Sequence, residues 1–195
     1  MKYLVYSFLF LSVLFPSVSF ASKNLNEYGK WLKYHHLSDS NFKQSKQDSR
    51  IKLIWNNYNL TKSEQEIFSP FFYFSENRKF FIDLFSYSVL LEKDSLGKLI
   101  WRGNEPDQKI QLINAKTQKA ALLFSFGTTE YAEGAVWQNN SLFEIFGFRE
   151  ENHSFIPVIW KFNLKNNTIS VFESTNVFAN RPANYFVEIK LKTNP

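Results

Sequence analysis

IQLINAKTQK, residues 110–119, returns as IWKFNLKNNT at residues 159–168, an offset of 49 residues. Each copy is a short apolar run ending in Asn, then a turn rich in Lys, Asn and Thr, then a second apolar run. The second run is Ala120 to Phe124 in one copy and Ile169 to Glu173 in the other. Asn bonds its own backbone two residues on and so starts turns readily. A turn of this chemistry between two β-type runs reads as an antiparallel hairpin. A hairpin repeated at a spacing near 50 residues fits architectures in which one repeat is one small antiparallel sheet.

Outward from these hairpins the apolar residues keep a period of two. Ile156, Val158, Trp160 and Phe162 share a face, as do Ile169 and Val171. Phe143 to Phe148 is apolar on both faces, which places it centrally in a sheet. Lys79 to Glu92 sets Phe80, Ile82 and Leu84 on one face, with Phe81, Asp83, Phe85, Tyr87 and Val89 on the other, as in a strand covered on both sides. Tyr185, Val187, Ile189 and Leu191 alternate with Glu188, Lys190 and Lys192, the pattern of a half-buried edge strand. Asp94 to Gly97 marks an additional hairpin. Upstream, Leu25, Tyr28, Trp31, Leu32 and His35 recur near the helix period, with Asn24 or Asn26 as cap. Ser38 to Arg50 holds one large apolar residue and reads as a linker.

Phe74-Ser75-Glu76-Asn77-Arg78-Lys79 before Phe80, and Ile159 to Leu164 before Lys165 to Thr168, are similar to the F-S-P-D-G-K and I-W-x-x-D-L segments of TolB-like and WD-repeat β-propeller blades. Glu76, Arg78 and Asn163 replace the proline, glycine and aspartate of that pattern. The resemblance implies blade-like sheets over about residues 74–174, as in small exported proteins of unknown function, and brings no catalytic residues. Two such units cannot close a ring. The expected fold is mainly β: two blade-like antiparallel sheets packed as a sandwich or partial propeller, with a short N-terminal helix.

Of 195 residues, the first 21 read as a signal peptide: Lys2, an apolar stretch from Leu4 to Val18, then Ser19-Phe20-Ala21 as a small-x-small cleavage site. Residues 22–50 are then an N-terminal helix and linker, of which Ser22 to Ser38 is expected to be dispensable to the sheets, and 51–195 a single β domain. Export, periplasmic or secreted, follows from that reading, with no stable membrane insertion once the signal is removed; an uncleaved anchor is the alternative. Cysteine is absent, which excludes disulfides, thiol nucleophiles and thiolate metal sites. The net charge of +5 is spread along the chain without a block of like charges, so no nucleic-acid partner is expected.

No H-x-x-x-H or H-E-x-x-H spacing occurs among His35, His36 and His153. They read as surface residues, and no metal or cofactor is expected. Ser125, His153 and Asp83 lack the G-x-S-x-G turn of a hydrolase nucleophile. The catalytic candidates are carboxylates: Glu130 and Glu133, read as lying on a loop from Phe126 to Trp137, and Asp83. Two carboxylates facing across a cleft serve glycoside hydrolysis. Asp83, between Phe81 and Phe85, instead needs hydrogen-bond partners if buried, which makes it a turn anchor. The binding candidates are aromatic: Phe72 and Tyr73, in the stretch Phe71 to Phe74 expected to stay exposed, Trp101 near the additional hairpin, and Tyr131. The expected function is a non-enzymatic binding module for a protein or surface glycan. The alternatives are a glycan-directed hydrolase and a membrane-anchored envelope component.

Overall fold

The computed structural model describes residues 25–103 and 105–191. The expected signal peptide and the candidate cap Asn24 lie outside the described residues. Two five-stranded antiparallel sheets and one hairpin make up the β structure. Strands β9 (Glu130–Trp137), β10 (Leu142–Glu151), β11 (Ser154–Asn163) and β12 (Thr168–Ser174) form a meander, and β1 (Phe42–Arg50) completes it beside β12. The other sheet orders β3 (Tyr73–Phe74), β4 (Phe80–Asp83), β7 (Gln108–Asn114) and β8 (Lys119–Phe126), with β2 (Trp55–Asn57) beside β8. The sheets therefore share one plan, four strands of meander capped by a strand from residues 42–57. The additional hairpin, β5 (Val89–Lys93) and β6 (Leu99–Gly103), is inserted between β4 and β7.

The sequence echo is a structural one. Asn114 Oδ1 accepts the N–H groups of Lys116 and Thr117, and Asn163 Oδ1 those of Lys165 and Asn166. Each turn ends in a left-handed residue, Gln118 (φ 52°) and Asn167 (φ 51°). The carbonyls of those same residues accept Tyr58 N–H and Ile51 N–H at 3.0 and 2.8 Å. One continuous segment thus ties off both sheets at corresponding positions.

The sheets pack face to face. Ile82, Leu84, Ile110 and Leu112 meet Ala135, Trp137, Phe143, Ile145, Val158, Trp160 and Phe162 in one buried cluster. Phe126 of β8 lies 5.0 Å from Trp160 of β11, and Phe124 lies 5.5 Å from Phe162. Helix α1 (Leu25–Tyr34) covers the outer face of the β9–β12 sheet, placing Tyr28 and Trp31 on Phe146 and Phe148. Since Trp31 is fully buried, α1 is part of the core.

Three readings change. Residues 38–50 are not a linker: after a turn of 3-10 helix they form β1, exposed at all but Phe42, whose pairing with β12 is a backbone matter. Its exposed Lys43, Lys46 and Arg50 are of the kind that blunts an open sheet edge. The strand expected over 79–92 stops at Asp83. The C-terminal alternation forms a π-helical turn, Phe186–Leu191, rather than a strand. Asn184 starts it by accepting Val187 N–H at Oδ1, and the Phe186 ring stacks on Phe85. A second helix, α2 (Lys62–Phe68), opens on a Thr61–Glu64 capping box. Among the described residues no helix is long and apolar enough to cross a membrane.

Candidate functional site

Two clefts collect the aromatic candidates, and two of the candidate carboxylates, Asp83 and Glu133, are buried. Asp83 ends β4 because its own side chain closes the following turn. Oδ1 accepts Phe85 N–H at 3.1 Å and Ser86 N–H at 3.0 Å; Oδ2 accepts Tyr58 O–H at 2.7 Å and the Ser86 hydroxyl. Burial pushes the Asp83 carboxyl above its ordinary range, against those hydrogen bonds, which favour the ionised form. Neither Ser125 nor His153, both exposed, joins this network.

A carboxyl whose proton is held more tightly in the folded state stabilises the fold most fully below its unfolded value, and that contribution is lost as pH rises through the folded value. Asp83→Asn keeps an acceptor for the two N–H groups and presents a donor to Tyr58 Oη and Ser86 Oγ. It is therefore expected to fall within about 1 kcal/mol of wild type and to gain on it as pH rises from the acid range. Asp83→Ala, which strands four donors, is expected to lose about 1–3 kcal/mol. Urea unfolding at stepped pH separates the two; equal losses in both variants would contradict the anchoring role.

Glu133 is the extra residue of a β-bulge: Gly134 pairs with Phe146 and Ala132 with Gly147, which leaves Glu133 unpaired between them. The bulge turns its side chain toward α1, and it is fully buried. Oε2 accepts the Trp31 indole N–H at 2.8 Å and meets His35 Nε2 at 2.7 Å, while Oε1 accepts Tyr185 N–H at 3.0 Å. The loop reading of Glu130 and Glu133 is corrected, since both lie in β9. His35 is corrected as well, being buried where the sequence reading put it on the surface; His36 and His153 are exposed. Among the described residues no group of three or more His, Cys, Asp or Glu is placed to hold a metal ion.

The first cleft, of about 360 Å³, lies where the β5–β6 hairpin, the start of β9 and the segment entering the π-helical turn meet. Trp101, Thr128, Glu130, Tyr131, Arg181 and Asn184 border it, over a floor that includes Phe85 and Phe186. Trp101 pairs directly with Leu91 across the hairpin, so the two share a face. Leu91 is buried and anchors the hairpin, yet Trp101 keeps 42% of its surface exposed. The indole borders the cleft and stays partly exposed. Tyr131 stacks on Phe148 and is 8% exposed, and its phenolic oxygen is buried without a hydrogen-bond partner. The Arg181 guanidinium lies 4.6 Å from the centroid of the same ring and favours the phenolate. Burial nevertheless dominates and holds that hydroxyl protonated.

The second cleft, of about 700 Å³, runs between the terminal strands β3 and β9 and is bordered by Phe72, Tyr73, Arg78, Trp137 and Lys190. The expectation that Phe71 to Phe74 stays exposed is corrected: Phe71 is buried, Phe72 stacks on Phe81, and Phe74 packs beside them. The cleft's polar groups are largely engaged. Trp137 Nε1–H donates to Tyr73 C=O at 2.8 Å, Glu27 pairs with Lys190 at 2.8 Å and accepts Tyr185 O–H, and Arg78 covers Phe74.

The structure thus brings Trp101, Tyr131 and Glu130 to one cleft and Phe72 and Tyr73 to another, and it sequesters Glu133 and Asp83. Arg181, Thr128 and Asn184 went unread in the sequence, having no local pattern that ties them to Trp101. The Glu133 node did leave a signal: His35 follows Trp31 by one helical turn on the apolar face of α1, a place where an imidazole needs a buried partner. Comparison with protein-family models, curated proteins and solved structures returned no match for this chain.

Proposed function

We propose that this chain is an exported, non-enzymatic binding module whose ligand seat is the 360 Å³ cleft between the β5–β6 hairpin and β9. The observation that carries the reading is that the half-exposed indole of Trp101 and Tyr131, whose buried hydroxyl has no partner, border the same cleft. A half-exposed indole beside an unspent polar group is the composition of a contact hot spot. Binding is favoured over glycoside hydrolysis because Glu130 is the one carboxylate bordering this cleft among the described residues, and that chemistry uses two. The shared strand order of the two sheets supports reading them as blade-like units that hold the cleft walls rigid, with the hairpin as the adjustable wall.

Trp101→Ala tests this. Trp101 is not a core residue, so the variant should keep the wild-type melting temperature while losing about 10- to 30-fold in affinity for cell-surface extract, the loss expected of a contact aromatic. Undiminished binding by the variant would overturn the placement of the seat.

A further inference from the structure

The walls of this cleft also select among ligand classes, and the selection rests on the binding reading above. Charge comes first. Arg181 and Glu130 are its charged lining residues, one of each sign, and Arg181 has no ion-pair partner among the described residues. Such a balance gives no net field to draw a polyanion. Size comes second: about 360 Å³ sits at the lower end of small-ligand clefts, roughly 300–1,000 Å³, which suits one or two rings of a longer molecule. The third constraint is the supply of hydrogen bonds. Tyr131 offers an O–H that nothing in the fold uses, Arg181 further donors, Glu130 an acceptor, and Thr128 and Asn184 groups of both kinds. Trp101 adds an apolar plate.

We propose that the cleft takes a neutral saccharide, with the C–H face of a pyranose on Trp101 and ring hydroxyls bonded by the Tyr131 O–H, Arg181 and Glu130. An apolar face edged by hydroxyls matches a site with one aromatic plate and mixed donors and acceptors. A peptide is the competing occupant, because the edge strand β9 and the hairpin strands β5 and β6 also border this cleft and offer backbone groups for pairing; the protease-sensitive outcome below decides against or for it.

The full chain is titrated calorimetrically with short linear oligomers of glucose, mannose and N-acetylglucosamine, and in parallel with a polyuronate. Saturable binding of a neutral oligomer is expected, weakened about tenfold or more in Trp101→Ala. Tyr131→Phe is the sharper variant. Because the hydroxyl has no partner in the fold, its loss should leave the melting temperature unchanged or raised, while affinity falls about three- to tenfold for one lost hydrogen bond. Full affinity in Tyr131→Phe, or a preference for the polyuronate abolished by Arg181→Ala, overturns the proposal. Trp101-dependent capture of protease-sensitive surface material, with no saccharide bound, overturns the saccharide and leaves the binding seat. Surface binding independent of Trp101 removes both.

Discussion

Glu133→Ala is expected to destabilise the fold by about 3–5 kcal/mol, through several buried donors left unbonded and the cavity that opens. The carboxylate is fully buried and serves three groups on two other segments: the Trp31 indole, the His35 imidazole and the Tyr185 peptide N–H. Truncation leaves all three facing an apolar surround. It also opens a cavity beneath α1, beside the fully buried Trp31. Small domains are stable by about 5–15 kcal/mol, so this single change consumes a large share. Glu133→Gln should lose less, about 1–3 kcal/mol: its amide oxygen can still serve Tyr185 N–H, but its NH2 then confronts the donor of Trp31. Urea unfolding gives both values. A loss below about 1 kcal/mol for Glu133→Ala would mean that α1 is not fastened through β9.

Gly147→Ala is expected to be as damaging, for a steric reason. A Cβ on Gly147 would lie 2.0 Å from the Tyr131 carbonyl oxygen and 2.8 Å from Ala132 Cα, both backbone atoms of the neighbouring strand. The bulge at Glu133 draws β9 across the place where a side chain would stand. Relief requires moving a central strand, and overpacking of that kind costs about 3 kcal/mol or more. Gly29 is the control. It lies exposed in α1 with nothing within 4 Å of an added Cβ, so Gly29→Ala should stabilise by about 0.5–1 kcal/mol. Thermal melts of the two variants should move in opposite directions; a parallel fall would contradict the close approach of β9 and β10.

These two sites show where sequence reading reaches and where it stops. The repeated Asn turns announce the β7–β8 and β11–β12 hairpins because an Asn side chain acts within its own turn. The apolar-on-both-faces run at Phe143 to Phe148 announces a central strand because burial on two sides leaves no polar face. Asp83 was legible for the same local reason. By contrast, β1 is held by backbone pairing to β12 and exposes nearly every side chain, so its sequence has nothing to distinguish it from a linker. The alternation at residues 185–191 is overruled by tertiary contacts: Tyr185 N–H on Glu133, Phe186 on Phe85, and the Asn184 cap. Glu133 was taken for a loop residue on the strength of Gly127 and Gly134, and the bulge, by adding one residue and breaking the strand's period, left β9 without a pattern to correct it. Within the candidate site, Trp101 and Tyr131 could be named as aromatic candidates, and their meeting could not. It depends on the β5–β6 hairpin folding back over β9 and on Arg181 arriving from a loop about 50 residues beyond Tyr131 in the chain.

The most direct test of a ligand seat at the smaller cleft is amide hydrogen exchange of the full chain with and without cell-surface extract, read by segment. Ligand at Trp101 and Tyr131 should slow exchange in residues 99–103, 128–132 and 181–187 and leave residues 72–78 and 135–139 unchanged. Protection confined to residues 72–78 and 135–139 would place the ligand in the larger cleft between β3 and β9 and contradict the account.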